Sequence, residues 1–403
     1  MVAKGSAAKG PNYRWVILGT ICLVFFSAAL VFQGIPPILS LIIADLQLSH
    51  AEAGLLMSLF ALTGVFLSIP IGIVSDRYGP RYLIIISLAS MIVGSLLVAG
   101  GQSFPILLLG RVIAGIGGFA VFMIGPQVVA QWFVGRELGR AVGIYTTIMP
   151  LGAIISLNTL GTVAEAIGWQ GSVLISVAVS LVALAVFLAL HRPAPSTPDG
   201  HSRRTEQSPF RAISKLGTST WLVGVIWMMF NLAVISFLTF GPDYFVTRGY
   251  SIEAAGFLAS ILMLLSPPLA PLCGYLIDRF GREEVFVAAG GLLLAGGILL
   301  VPLLPDEWLA LPLISLSIGA ALVPTPVFYL PPKLVSPHHL GTAFGVISTF
   351  LNASIVIGPY ITGLARDATG SYQVSFFLMS FFSLLVTAIA PVLYLIRRRA
   401  NGW

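Results

Sequence analysis

Polar breaks divide this chain into apolar stretches of nearly constant length. About 20 residues of helix cross the hydrocarbon of a bilayer. Twelve such stretches follow one another, near 15–37, 52–74, 82–101, 105–128, 140–163, 170–190, 219–241, 254–276, 285–304, 309–330, 342–364 and 375–396. In hydrocarbon each backbone polar group has to be satisfied within its own segment, so the pattern predicts helices rather than open strands. The longest polar interval, 191–218, holds Pro193, Pro195, Pro198, Gly200, Ser202 and Ser208 among basic residues, a composition suited to a solvated linker. The expected organisation is a tail (1–14), a six-helix bundle (15–190), the linker (191–218), a second six-helix bundle (219–396) and a short tail (397–403).

The two predicted bundles share a register. Gly72-Ile-Val-Ser-Asp76-Arg77-Tyr-Gly79-Pro-Arg81 returns 202 positions later as Gly274-Tyr-Leu-Ile-Asp278-Arg279-Phe-Gly281-Arg282. The same offset pairs Ser49, Ala53, Gly54 and Ser58 with Ser251, Ala255, Gly256 and Ser260, and Leu138, Gly139 and Gly143 with Leu340, Gly341 and Gly345. A register held through three separated segments marks a duplicated half. In an apolar chain, such a repeat points to two bundles that rock about a central site. The expected fold class is an all-α integral membrane protein whose twelve transmembrane helices form two pseudo-symmetric bundles.

Composition and charge agree with the membrane reading. With 57% hydrophobic and 9% charged residues the chain is far from a soluble globular composition, in which about a quarter of residues are charged. Nearly all of the 21 Lys and Arg fall in loops on one side; Arg248 and Arg366 fall on the other, and Arg111 lies within a span. The positive-inside rule therefore places both termini in the cytoplasm, in a bacterial inner membrane. The net charge of +6 reflects this topology and provides no basic face for nucleic acid. Cys22 and Cys273 both sit in predicted spans and imply neither a disulfide framework nor a metal site. No cofactor is expected.

The Gly-x-x-x-Asp-Arg-x-Gly-x-Arg stretch between spans 2 and 3 resembles the signature of the major facilitator superfamily. Its weaker copy between spans 8 and 9, the twelve spans and the long middle loop extend the resemblance over the whole chain. It implies secondary transport by alternating access. It also implies that Gly72, Asp76, Arg77, Gly79 and Arg81, with Asp278, Arg279, Gly281 and Arg282, gate the cytoplasmic side. In that arrangement Asp76 faces the start of span 11 and Asp278 the start of span 5 near Gly139, where a carboxylate meets the positive end of a helix. Glu137 could pair with Arg77 or Arg81 at the same seam. The alternative is that these charges solvate tight turns. Helix breakers are expected at Gly34-Ile-Pro36-Pro37, Gly125-Pro126, Gly241-Pro242 and Pro324-Thr-Pro326, the places where bending would reshape a cavity.

Arg111 carries the most information of any single residue. An intramembrane cation costs a few kcal/mol or more and faces a partner or a wet cavity. It reads equally as an anion-binding or coupling residue and as an arginine held by backbone carbonyls. Gly115-Ile-Gly117-Gly118 near it matches a dinucleotide fingerprint by letter only, since no strand precedes it; close helix packing explains it better. By the family's arrangement of path-lining helices, Gln33, Arg111, Tyr145, Trp227, Asn231, Tyr329 and Asn352 are the candidate substrate contacts. All 15 carboxylates and all five histidines read as lying in loops or at helix ends, so no buried acid is expected at depth. Neither His-Glu-x-x-His nor Gly-x-Ser-x-Gly occurs, so an enzyme is not expected.

These readings favour transport of a small organic or inorganic anion, and the segment Ile35–Leu56 resembles bacterial porters of the cyanate and nitroimidazole type. The family's nitrate porters carry further buried arginines in helices 2 and 8, which this chain lacks. An exporter of hydrophobic or neutral compounds is the alternative; a non-transporting receptor is a remote one. The expected partners are a small-molecule substrate, the lipid bilayer and a coupling ion (a proton or a counter-anion), around a monomer.

Overall fold

The computed structural model describes residues 13–133, 137–192, 216–335 and 340–400, and among them helices and short turns make up the chain with no strand. Eleven helices are long and apolar enough to cross a membrane. One of these, Leu138–Leu190, loses helical geometry at Ile167 and Gly168 and so comprises spans 5 and 6. Twelve crossings result. Span 1 is Tyr13–Gln33, carried through a 3-10 turn at Pro36–Ile38 into Leu39–Leu46; spans 2, 3 and 4 are His50–Tyr78, Pro80–Gly100 and Phe104–Trp132. In the second half, span 7 is Thr218–Thr247, span 8 is Ile252–Leu264 with Ser266–Phe280, and span 9 is Glu283–Leu300. Span 10 is Ala310–Leu322 with Pro324–Tyr329 and Pro331–Leu334, span 11 is Leu340–Thr369 and span 12 is Tyr372–Ala400.

The breaks differ in part from those expected. Span 1 breaks at Pro36–Pro37 and span 10 at Pro324, but the helices of spans 4 and 7 run unbroken through Pro126 and Pro242. A proline removes one intrahelical bond, which a packed membrane helix can tolerate. Span 8 breaks instead at Leu265, where Pro267 and Pro268 start a new helix in the first-turn positions that proline suits.

Duplication is visible in the backbone itself. Left-handed φ values occur at Gly79 and Gly281, at Gly168 and Gly370, and at Gln47 and Gly249. Each pair is separated by the same 202 positions that relate the sequence motifs. Each residue turns the chain between two spans, and glycine takes that conformation at no steric cost.

The start of span 1 and the end of span 6 meet at one face, called here the terminal face, where the Tyr13 hydroxyl donates to the carbonyl of Leu190 at 2.6 Å. At the opposite, far face the two halves meet closely. Span 2 packs on span 11 and span 5 on span 8. A Cβ on Gly54 would stand 2.5 Å from the Pro359 carbonyl oxygen, and one on Gly256 would stand 1.9 Å from that of Leu157. Gly363 and Gly161 make the equivalent approaches to His50 and Ile252. These four contacts map onto each other under the repeat. Toward the terminal face, two of the described glycines have room: a Cβ on Gly345 meets nothing within 4 Å, and one on Gly274 meets only Thr325 of its own half, at 3.8 Å. Among the described residues the two halves are packed together at the far face.

Candidate functional site

Arg111 is 2% exposed and points across span 4 toward spans 1 and 2. Its Nε donates to the Leu56 carbonyl at 2.7 Å and its Nη1 to that of Val31 at 2.8 Å. Its Nη2 lies 3.5 Å from the Phe32 carbonyl oxygen and 3.6 Å from the Met57 sulfur, and the guanidinium stands 4.6 Å from the Phe60 ring centroid. These partners are carbonyls, a thioether and a π face, all neutral. The charge is thus stabilised by dipoles, while the positive potential it creates is left uncancelled by any of them. A small cavity of about 20 Å³ adjoins it, lined by Val31, Gly34, Ser95 and Ser176 among others, which places it between spans 1, 3, 4 and 6.

The remaining candidates fall into separate neighbourhoods. Tyr145 of span 5 is 4% exposed, stacks on Phe25 with ring centroids 4.4 Å apart, and its hydroxyl has no hydrogen-bond partner among the described residues. Trp227 of span 7 stacks on Phe230 at 5.3 Å and meets Phe328 of span 10 edge-on at 5.2 Å; its indole N–H is likewise buried without a partner. Asn231, one turn on, donates to the Trp227 carbonyl at 2.8 Å. Gln33 ends the first helix and its carbonyl accepts from Ser156 at 2.6 Å; Asn352 is buried within span 11. Tyr329 donates to Asp278 at 2.7 Å and lies under the Lys333 ammonium, so it sits with the gating candidate Asp278 rather than with Trp227 and Asn231. The Lys333 ammonium in turn donates to Glu283 at 2.7 Å.

Among the gating candidates, the side chains of 72–78, including Gly72, Asp76 and Arg77, and that of Gly139 lie outside the described residues. Gly79 and Gly281 hold left-handed turns; Arg81, Arg279 and Arg282 are exposed. Asp278 accepts a hydrogen bond from Tyr329 of its own half, and the start of span 5 near Gly139 lies outside the described side chains. Glu137 pairs with Arg14, and at 3.7 Å with Arg140, rather than with Arg81. The start of span 1 lies beside that of span 5, a proximity that spacing along the chain does not reveal.

The expectation that carboxylates sit only in loops or at helix ends needs correction at Asp243. Span 7 continues to Thr247, beyond the expected limit of 241, and Asp243 is 5% exposed inside it. It accepts a hydrogen bond from the Tyr372 hydroxyl, and its Oδ2 is 3.5 Å from His50 Nε2. On the other side of the ring, His50 Nδ1 is 2.9 Å from Asp367 Oδ1. The backbone N–H groups of His50 and Ala51 also donate to Asp367, at 2.9 and 2.7 Å. This cluster ties span 2 to spans 7, 11 and 12 across the far face. The sequence signal for it was an Asp one residue after Gly-Pro near the end of an apolar run.

Two bundles related by duplication and packed together at the far face, with one arginine buried among the described residues, are the arrangement of a membrane transporter. The family profile described as Major Facilitator Superfamily matches residues 21–359, and the chain belongs to that superfamily. It is 24% identical to the lysosomal dipeptide transporter MFSD1 of Homo sapiens, an alignment covering 97% of this chain and 88% of the relative. It is 26% identical to the "Probable sulfoacetate transporter SauU" of Cupriavidus necator, over 90% of each chain. It is 25% identical to the hexuronate transporter of Bacillus subtilis, over 88% of this chain and 87% of that one. Among solved structures, a bacterial homologue of the human lysosomal transporter Spinster, in an inward-facing and occupied conformation, superimposes with a TM-score of 0.81 at 17% identity, covering 98% of each chain. The protein is a multi-pass membrane transporter and not an enzyme.

Proposed function

We propose that the chain carries a small organic anion, most simply one bearing a carboxylate, by alternating access, with its terminal face toward the cytoplasm. The observation that carries the reading is the Arg111 charge, whose described partners are all neutral. An interior with that net potential lowers the cost of bringing in an anion. The donors of Arg111 are engaged by carbonyls, so it acts through its field and through the packing of spans 1, 2 and 4. The direct contacts fall to two of the buried donors without a partner among the described residues, the Tyr145 hydroxyl in the first half and the Trp227 indole N–H in the second. A buried donor without a partner costs about 1–3 kcal/mol, which an acceptor on the solute would return. Two relatives, a sulfoacetate and a hexuronate transporter by name, handle anions of this kind; the dipeptide transporter's namesake solute also carries a carboxylate. The basic loops support the cytoplasmic assignment of the terminal face, and the bacterial relatives support the inner membrane.

Uptake into proteoliposomes of labelled sulfoacetate, a hexuronate and a dipeptide, each against a neutral amide or alcohol analogue, tests the reading. The wild type is expected to take up an anion and to ignore the analogue. Arg111→Lys should retain about a tenth of the rate and Arg111→Ala less, since the latter also strands the Val31 carbonyl at the end of its helix, at about 1–3 kcal/mol. Parental rates in both variants, or a neutral analogue moved as well as the anion, contradict it. The aromatic surround of Trp227, Phe230 and Phe328 favours a second reading, export of apolar compounds. Resistance to lipophilic compounds on expression, with no anion uptake, would support that reading instead.

A further inference from the structure

We propose that the seam between spans 2, 7 and 11 is a proton-binding site, in which one proton held between His50, Asp243 and Asp367 keeps the far face shut.

The argument is a count of donors. Both ring nitrogens of His50 face carboxylate oxygens, Nδ1 toward Asp367 at 2.9 Å and Nε2 toward Asp243 at 3.5 Å. A neutral imidazole has one N–H, and two ionised carboxylates have none. In the unprotonated cluster one nitrogen lone pair would therefore oppose a carboxylate lone pair. Adding one proton removes the conflict, whether it resides on the ring or is shared with a carboxylate. The closed geometry thus has a place for one proton that the unprotonated cluster leaves unfilled.

The surroundings make that proton specific to the seam. Asp243 is buried and its other described partner, the Tyr372 hydroxyl, is a donor. Asp367 receives the backbone N–H groups of His50 and Ala51. Arg366 of span 11 lies 5.0 Å from the Tyr372 ring, supplying one fixed positive charge, and Tyr244 of span 7 packs edge-on against Tyr372. Glu52, on the same turn as His50, is engaged by Ser49. His50 belongs to the first half and all three acids and phenols that face it to the second, so a proton gained or lost changes attraction between the halves. The other described histidine, His191, is held down to about 4 by burial and by Arg81, so it stays neutral across the physiological range. The seam copy made by spans 5 and 8 places Ile252 where His50 stands, so nothing there titrates in the same way.

If closure requires the proton, the proton favours closure to the same degree, because linkage is reciprocal. Closure is then fullest at low pH and is lost as the pH rises through the range in which histidine titrates, about 5 to 8. One proton can change the closed-to-open ratio by at most about tenfold per pH unit.

The inference rests on the alternating-access reading, and the distance between far-face spin labels tests the two separately. Labels on Ala44→Cys and Glu253→Cys, with buried Cys22 and Cys273 left native, report the span of the far face in full-length protein. Wild type is expected to show a short distance near pH 5.5 and a longer population, raised about tenfold or more, near pH 8. His50→Gln should lose that pH response, and His50→Arg, a permanent cation, should stay closed at both values. A far face that opens on adding solute but does not respond to pH in the wild type overturns the proton site alone. So does a His50→Gln variant with the wild-type response. A far face that never lengthens under any condition overturns alternation as well.

Discussion

Seam 2–11 and seam 5–8 close the same face with equivalent parts. Gly54 against Pro359 and Gly363 against His50 on one side become Gly256 against Leu157 and Gly161 against Ile252 on the other. What differs is chemistry. The first seam is ionic, with His50 between two acids. In the second, the position of His50 is Ile252, that of Asp243 is Leu41, and that of Asp367 is an exposed Glu165. Its polar link between halves is neutral, from Asn158 to Ser260 at 3.0 Å. The duplication supplied the geometry of closure to both seams, and a histidine held between two acids was placed on only one.

The largest effect is expected from removing the geometry they share. A valine at Gly256 would drive Cβ into the Leu157 carbonyl, already 1.9 Å from that position. Overpacking of this kind costs about 1–3 kcal/mol or more, and Gly256→Val should lower transport by about 100-fold with the protein still inserted. Gly54→Ala, with 2.5 Å to its nearest oxygen, should cost about tenfold. Equal, near-wild-type rates for both would show that close approach at the far face is dispensable. A smaller effect separates the seams chemically. Asp367→Asn should move the far-face equilibrium toward the open form by about 3- to 10-fold, whereas Glu165→Gln, exposed, should change it by less than about twofold. Equal responses would erase the distinction drawn between ionic and neutral seams.

Much of the fold was legible in the sequence because hydrocarbon allows few alternatives. Length and polarity set the twelve crossings, and the 202-residue offset foretold which backbone turns and glycine contacts would match. Local signals set the prolines, but whether a proline breaks a helix depends on its neighbours: Pro126 sits in an unbroken helix while Pro267 and Pro268 start a new one after a break. The site was less legible. Arg111 announced itself as a buried cation, but its carbonyl partners on spans 1 and 2 depend on helix rotation, which an almost uniformly apolar sequence does not encode. Asp243 was misplaced because an apolar run ended six residues before the helix did. His50 gave no signal at all, since both its acids lie in the other half of the chain.

The claim on which the account depends is that the halves must part at the far face during each cycle. Asn158 and Ser260 face each other there across the two halves at 3.0 Å. Anion uptake by Asn158→Cys/Ser260→Cys in proteoliposomes, oxidised and then reduced, tests it directly. The account predicts that the disulfide abolishes uptake and that reduction restores it. Uptake at an unchanged rate with the disulfide fully formed would contradict it.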